Sequence, residues 1–125
     1  MKKRILDSER LRKIPSQFSW VDHRLVSEAY LSRCEHPAWA LYLFLITVAD
    51  VHGLSYYGDD SLCKRLSMSP NLLSRSRGQL IDVGLLAYQA PLYQVLALGS
   101  KEQGSRIGQH LSVAEILHKA MGGVS

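Results

Sequence analysis

Few ways of folding are open to the stretch from Asp60 to Leu86. Asp60 is a capping residue at the head of Ser61-Leu-Cys-Lys-Arg-Leu66, and Ser67-Met68-Ser69 makes a tight corner. Ser69 then caps a second helix, with Pro70 at its first position and Gly84 to stop it. Two helices joined this closely cross steeply. The small side chains of Cys63, Ser67 and Ser76 fall where bulk would force them apart. The 3.6-residue period turns Leu73, Ser76, Leu80 and Val83 inward and leaves Asn71, Ser74, Arg75 and Gly78 outward.

The flanking segments supply a core for this unit. Phe18, Trp20, Val21, Leu25, Val26, Ala29, Tyr30 and Leu31 predict apolar contacts around a helix from about 23 to 33, with Asp22 as its cap. His36-Pro37 opens the next helix. Ala38-Trp-Ala-Leu-Tyr-Leu-Phe-Leu-Ile-Thr-Val-Ala49 is apolar nearly all round, which predicts a central helix covered over most of its surface and ended by His52-Gly53. Leu54-Ser-Tyr-Tyr57 reads as a brief strand. After Gly84 the pattern turns to β character, from Leu85 to Gln89 and from Tyr93 to Leu98. That predicts a hairpin with Pro91 at its turn and Tyr88 near Tyr93 across the strands. Residues 99–110 have the composition of a linker. In 111–125, a Ser112/Glu115 capping box and the stripe Val113, Ile116, Leu117, Ala120 and Met121 predict a short amphipathic helix that must bury itself on its own body or on a partner.

Charge separates the chain into an arm and a body. Lys2, Lys3, Arg4, Arg10, Arg12 and Lys13 face only Asp7 and Glu9 within residues 1–16, which read as a flexible basic arm. That accounts for the whole net charge of +4, because from residue 14 onward nine basic side chains meet nine acidic ones. A basic arm suits a polyanion such as DNA or RNA. Two cysteines, Cys34 and Cys63, are too few for a disulfide framework, so a reduced, cytosolic setting is expected. The basic start resembles the head of a signal peptide, yet Asp7, Glu9 and Arg10 interrupt any apolar run behind it. The most apolar segment falls short of the roughly 18 residues that cross a bilayer, so no membrane association is expected.

The order of helices, corner, outward helix and hairpin over residues 36–98 resembles the winged-helix DNA-binding domains. Leu62, Leu66, the Ser69-Pro70 helix start, Leu73, Leu80 and the exit Val83-Gly84-Leu85-Leu86 are similar to winged-helix transcriptional regulators and to the N-terminal domains of plasmid or phage replication initiators. Phe18-Ser-Trp-Val-Asp-His-Arg-Leu-Val26 and Gly53-Leu-Ser-Tyr-Tyr57 resemble short helix-turn-helix proteins of bacterial mobile elements. The resemblance implies a mainly α fold with a small β wing, a winged helix-turn-helix over 17–98, and double-stranded DNA as partner, with RNA as an alternative. Two departures stand out. Arg77 occupies a position where such domains carry an apolar residue, so it either snorkels out of the interface or is offered to a ligand. From Leu85 to Leu98 the wing carries no charge, which makes it a poor phosphate clamp.

On this reading Asn71 pairs with adenine and Arg75 with guanine, while Ser69 and Ser74 reach phosphates near the helix N-terminus. Gly78 allows close approach of backbone or base, and Lys64, Arg65 and the arm residues Lys2, Lys3, Arg4, Arg12 and Lys13 touch flanking phosphates. A solvated polar helix face and an ordinary solubilising tail would look the same in sequence. Cys34-Glu-His36 with His52 and Cys63 matches no tetrahedral ligand spacing, so no metal or other cofactor is expected. No phosphate loop or nucleophile motif is present, and enzymatic activity is not expected. The alternative function is an adaptor in a nucleoprotein complex, docking through the uncharged wing and the terminal stripe, as a homodimer or with another protein.

Overall fold

The computed structural model describes residues 2–99. The terminal helix with Val113, Ile116, Leu117, Ala120 and Met121, and nearly all of the expected linker, lie outside the described residues. The chain divides into two units, Met1–Val95 and Leu96–Ser125. The fold of the first is mainly helical, with four α-helices and one small antiparallel sheet.

Residues 2–20 are exposed throughout, broken only by a 3₁₀ turn, Ser8–Arg10, whose cap Asp7 accepts from the Glu9 N–H. The helix expected over 23–33 forms only its first turn, α1 (Arg24–Ser27). The cap position falls on His23 and not on the expected Asp22, although Asp22 Oδ1 accepts from the Arg24 N–H at 2.9 Å. Ala29 then takes a left-handed conformation (φ 58°) and a 3₁₀ turn follows over Tyr30–Arg33. The break scatters the apolar side chains over several directions. Of the eight named above, Leu25 alone is buried, while Phe18, Trp20, Val21, Val26 and Leu31 stay exposed.

Helix α2 (His36–Val48) starts at His36-Pro37, where proline's missing N–H costs nothing. It ends at Val48, four residues before His52, because Asp50 Oδ1 gathers the N–H groups of His52 (2.8 Å) and Leu54 (2.9 Å) into a turn that leads to the sheet. Ala38, Leu41, Tyr42 and Leu45 are buried, with α4 packed alongside. The near-complete covering expected of α2 is not found. Leu43 is 60% exposed, and Ala40 and Thr47 beside it are exposed too.

Strands β1 (Leu54–Tyr56), β2 (Leu86–Gln89) and β3 (Leu92–Val95) form a sheet of order β1-β3-β2. Ser55 and Tyr88 both lie opposite Tyr93, which is fully buried in the middle of the sheet. The hairpin turns at Ala90-Pro91, a cis peptide, and Leu92 belongs to the strand rather than to the turn. Gly53 precedes β1 at φ +83°, and a Cβ there would stand 2.5 Å from the Val95 carbonyl oxygen, so no other residue fits without displacement.

Helix α3 (Asp59–Leu66) is capped by Gly58 and not by Asp60; both aspartates fall in its first turn, where the helix dipole favours them. Ser67 closes α3 at φ 54° on the exposed corner, so its small size serves the left-handed turn and not the helix crossing. Helix α4 (Pro70–Asp82) follows, and Gly84 (φ +81°) stops it, with Leu85 N–H returning to the Leu80 carbonyl at 3.0 Å. Leu62, Leu73, Leu80, Leu85 and Leu86 join Leu41, Leu45 and Tyr93 as the largest fully buried side chains.

Candidate nucleic-acid interface

The Ser69 hydroxyl accepts from the Leu72 N–H at 3.1 Å, fixing where α4 begins and hence which side faces out. Leu73, Ser76 and Leu80 are buried; Asn71, Ser74 and Arg75 are exposed, and Gly78 is half-exposed with nothing within 4 Å of a Cβ placed on it. Val83 is only half-buried. The division into inner and outer faces follows the helical period from the first turn to Leu80.

Arg75 does not stand alone on the outer face. Its guanidinium pairs with the Glu35 carboxylate at the head of α2, and both side chains remain about half exposed or more, at 62% and 48%. Gln79, one turn further along α4, donates to Glu35 Oε1 (3.0 Å) while its own Oε1 accepts from the Glu35 N–H (2.8 Å). Arg75 and Gln79 together hold the Glu35 carboxyl below its ordinary range. Glu35 and Arg75 of this clasp line an open cleft of about 570 Å³ together with Leu31, Pro37 and Leu72. No reading of the sequence pointed to Glu35 or Gln79; the only signal was the i, i+4 spacing that puts Arg75 and Gln79 on one edge.

Arg77, expected either to snorkel out of the interface or to be offered to a nucleic acid, is instead turned inward. Its side chain is 11% exposed and its Nη1 donates to Asp59 Oδ1 (2.9 Å) and to the Tyr93 hydroxyl (2.7 Å), with the guanidinium 4.3 Å from the Tyr88 ring centre. Burial works against its charge, yet its hydrogen bonds to the acceptors Asp59 and Tyr93 prevail and raise its pKa. The tyrosine pair expected across the hairpin, with ring centres 4.6 Å apart, is thus half of a clamp that ties α4 to the start of α3 and to the sheet.

On α3, Lys64 and Arg65 are both exposed; Arg65 Nε donates to the Ser61 hydroxyl (3.2 Å) and its guanidinium lies 5.9 Å from the Tyr57 ring centre. In the arm, Lys2, Lys3, Arg4, Arg12 and Lys13 are exposed. Residues 17–99 hold six cations (Arg24, Arg33, Lys64, Arg65, Arg75, Arg77) and seven carboxylates (Asp22, Glu28, Glu35, Asp50, Asp59, Asp60, Asp82). Three of those cations are already in ion pairs, so the body offers a polyanion little net attraction and the arm offers most of it.

No family model, curated protein or solved structure matches this chain. The geometry therefore carries the functional argument alone. Cys34 is buried with its thiol directed at the Gln79 carbonyl (3.7 Å), and desolvation raises its pKa, the profile of an inert packing cysteine. Among the described residues no helix is long and apolar enough to cross a membrane.

Proposed function

We propose that this chain is a winged-helix protein that binds double-stranded DNA, with α4 as the recognition helix and the hairpin as a wing, acting as a regulator or accessory factor. One observation carries the reading: α4 is pinned along one side by Leu73, Ser76, Arg77 and Leu80, while Asn71 and Ser74 are exposed on the other together with Arg75, which stays 62% exposed in its pair with Glu35. A rigid helix with a polar outer face matches the width of a major groove, where Asn reads adenine and Arg reads guanine. The wing works by packing, since it spends Tyr88 and Tyr93 on Arg77 instead of gripping phosphate. Long-range attraction falls to the arm cations, with Lys64 and Arg65 against the flanking backbone. Glu35 holds Arg75 in a set orientation until guanine or phosphate competes for it.

Duplex selection from a random pool, followed by affinity measurement across salt concentrations, tests this. Asn71→Ala and Arg75→Ala should each cost about 1–3 kcal/mol on the selected site and relax its sequence preference, and removal of residues 2–13 should flatten the salt dependence. Recovery of no preferred duplex, with equal affinities for parent and variants, defeats the proposal. The adaptor reading draws on a different observation, the open and uncharged stripe of Ala40, Leu43 and Thr47 on α2. It gains if the chain ignores duplexes yet Leu43→Glu abolishes a protein complex.

A further inference from the structure

Phe18 and Trp20 stand between the basic arm and α1, 65% and 74% exposed, on a stretch without helix or strand. Large aromatic side chains are the ones that gain most from a partner, and two of them exposed two residues apart in the chain call for one. Their spacing narrows its chemistry. In drawn-out backbone, side chains two residues apart share a side at about 6.6–6.8 Å. That is twice the roughly 3.4 Å separation of stacked bases, enough for one flat base between the two rings. The adjoining residues Lys2, Lys3, Arg4, Arg10, Arg12 and Lys13 are all exposed and outnumber Asp7 and Glu9.

Cations followed by paired aromatic faces complement a strand whose phosphates and bases are both accessible, which is the state of unpaired nucleic acid. In a duplex the bases are already stacked on one another. A lipid surface fits less well, because Leu11 and Ile14 alternate with Arg10, Arg12 and Lys13 and Pro15 interrupts any helix, so no continuous apolar face is available. We infer that residues 2–20 bind single-stranded nucleic acid, DNA or RNA, with Phe18 and Trp20 stacking on unpaired bases and the arm cations on the phosphates beside them. The site uses no residue of α4 and stands whether or not α4 reads a duplex. A duplex ending in a single-stranded overhang would engage both.

The test titrates the full-length chain with labelled oligo(dT) and oligo(U) of 15 nucleotides, a blunt duplex, and vesicles containing phosphatidylserine, following label anisotropy and tryptophan emission. Either oligonucleotide should quench Trp20, with affinity falling as salt rises, and the tighter of the two identifies the sugar preferred. Phe18→Ala and Trp20→Ala should each weaken the strand roughly 5- to 150-fold while leaving the blunt duplex unchanged. Trp20→Phe should keep the affinity and lose the quenching. Affinities indifferent to Phe18→Ala and Trp20→Ala, or quenching by vesicles and not by either oligonucleotide, would overturn the inference. Failure of duplex binding with intact strand binding would count against the role of α4 alone.

Discussion

Replacing Arg77 by alanine separates a structural tie from a ligand contact. The side chain is 11% exposed and serves three partners. A hydrogen bond from a charged donor to the buried Tyr93 hydroxyl is worth about 1.5–3 kcal/mol. The pair with Asp59, whose carboxylate is half exposed, adds about 0.2–1 kcal/mol after solvent screening. Stacking on Tyr88 adds about 0.5–1 kcal/mol. The three share one side chain and do not add in full, so Arg77→Ala should destabilise the fold by about 2–4 kcal/mol. In a domain of this size that lowers the melting temperature by roughly 10–25 °C. Urea denaturation followed by circular dichroism measures the loss, and a double-mutant cycle with Tyr93→Phe isolates the hydroxyl. Arg77→Lys should lie between, since an ammonium keeps the charge without the planar fork. A variant as stable as the parent that nonetheless loses duplex affinity would refute the reasoning and return Arg77 to the DNA.

Three further outcomes follow from particular residues. Gly53→Ala should cost more than about 2 kcal/mol in denaturant melts, because it combines a left-handed backbone with a 2.5 Å clash against Val95, whereas Gly84→Ala meets open space and should cost only about 1 kcal/mol; equal losses would contradict this. Gly78→Ala should raise stability by up to about 1 kcal/mol, since its Cβ meets nothing, and should weaken duplex binding if a base edge comes close there; a stabler variant with undiminished affinity marks Gly78 as incidental. Asp22, Glu35 and Asp50 are all held below their ordinary pKa by donors from Arg24, Arg75 with Gln79, and the Leu54 and His52 amides. A depressed carboxylate stabilises above its unfolded value, about 3.9 for Asp and 4.3 for Glu, and that contribution vanishes as pH falls through the folded one. Melts should therefore lose stability below about pH 4, and Glu35→Gln should shrink the acid loss; an unchanged acid profile would contradict the role of the clasp.

What the sequence disclosed and what it hid divide along physical lines. Ser69, Pro70 and Gly84 act within a few residues of their own backbone, so the limits and outer face of α4 are legible in the sequence. The same holds for Pro91 and the tyrosine pair. Long-range choices were not. Nothing near Ala29 announces a left-handed residue, since alanine is a helix former, so the turn that cuts α1 short has no local signal. Arg77 fitted two destinations by helical spacing, and only the arrival of Asp59, Tyr88 and Tyr93 from three other places in the chain decides between them. Glu35 and Arg75 are forty positions apart and met for the same reason. Phe18 and Trp20 read as core in the sequence because composition cannot tell a buried ring from an exposed one.

Amide chemical shifts recorded while the selected duplex is added to labelled protein bear most directly on the role of α4. The account predicts that the largest changes run from Ser69 through Arg75, with weaker ones at Lys64, Arg65 and the arm. Changes confined to the arm or to the open stripe of α2, with residues 69–75 unmoved at saturation, would contradict it.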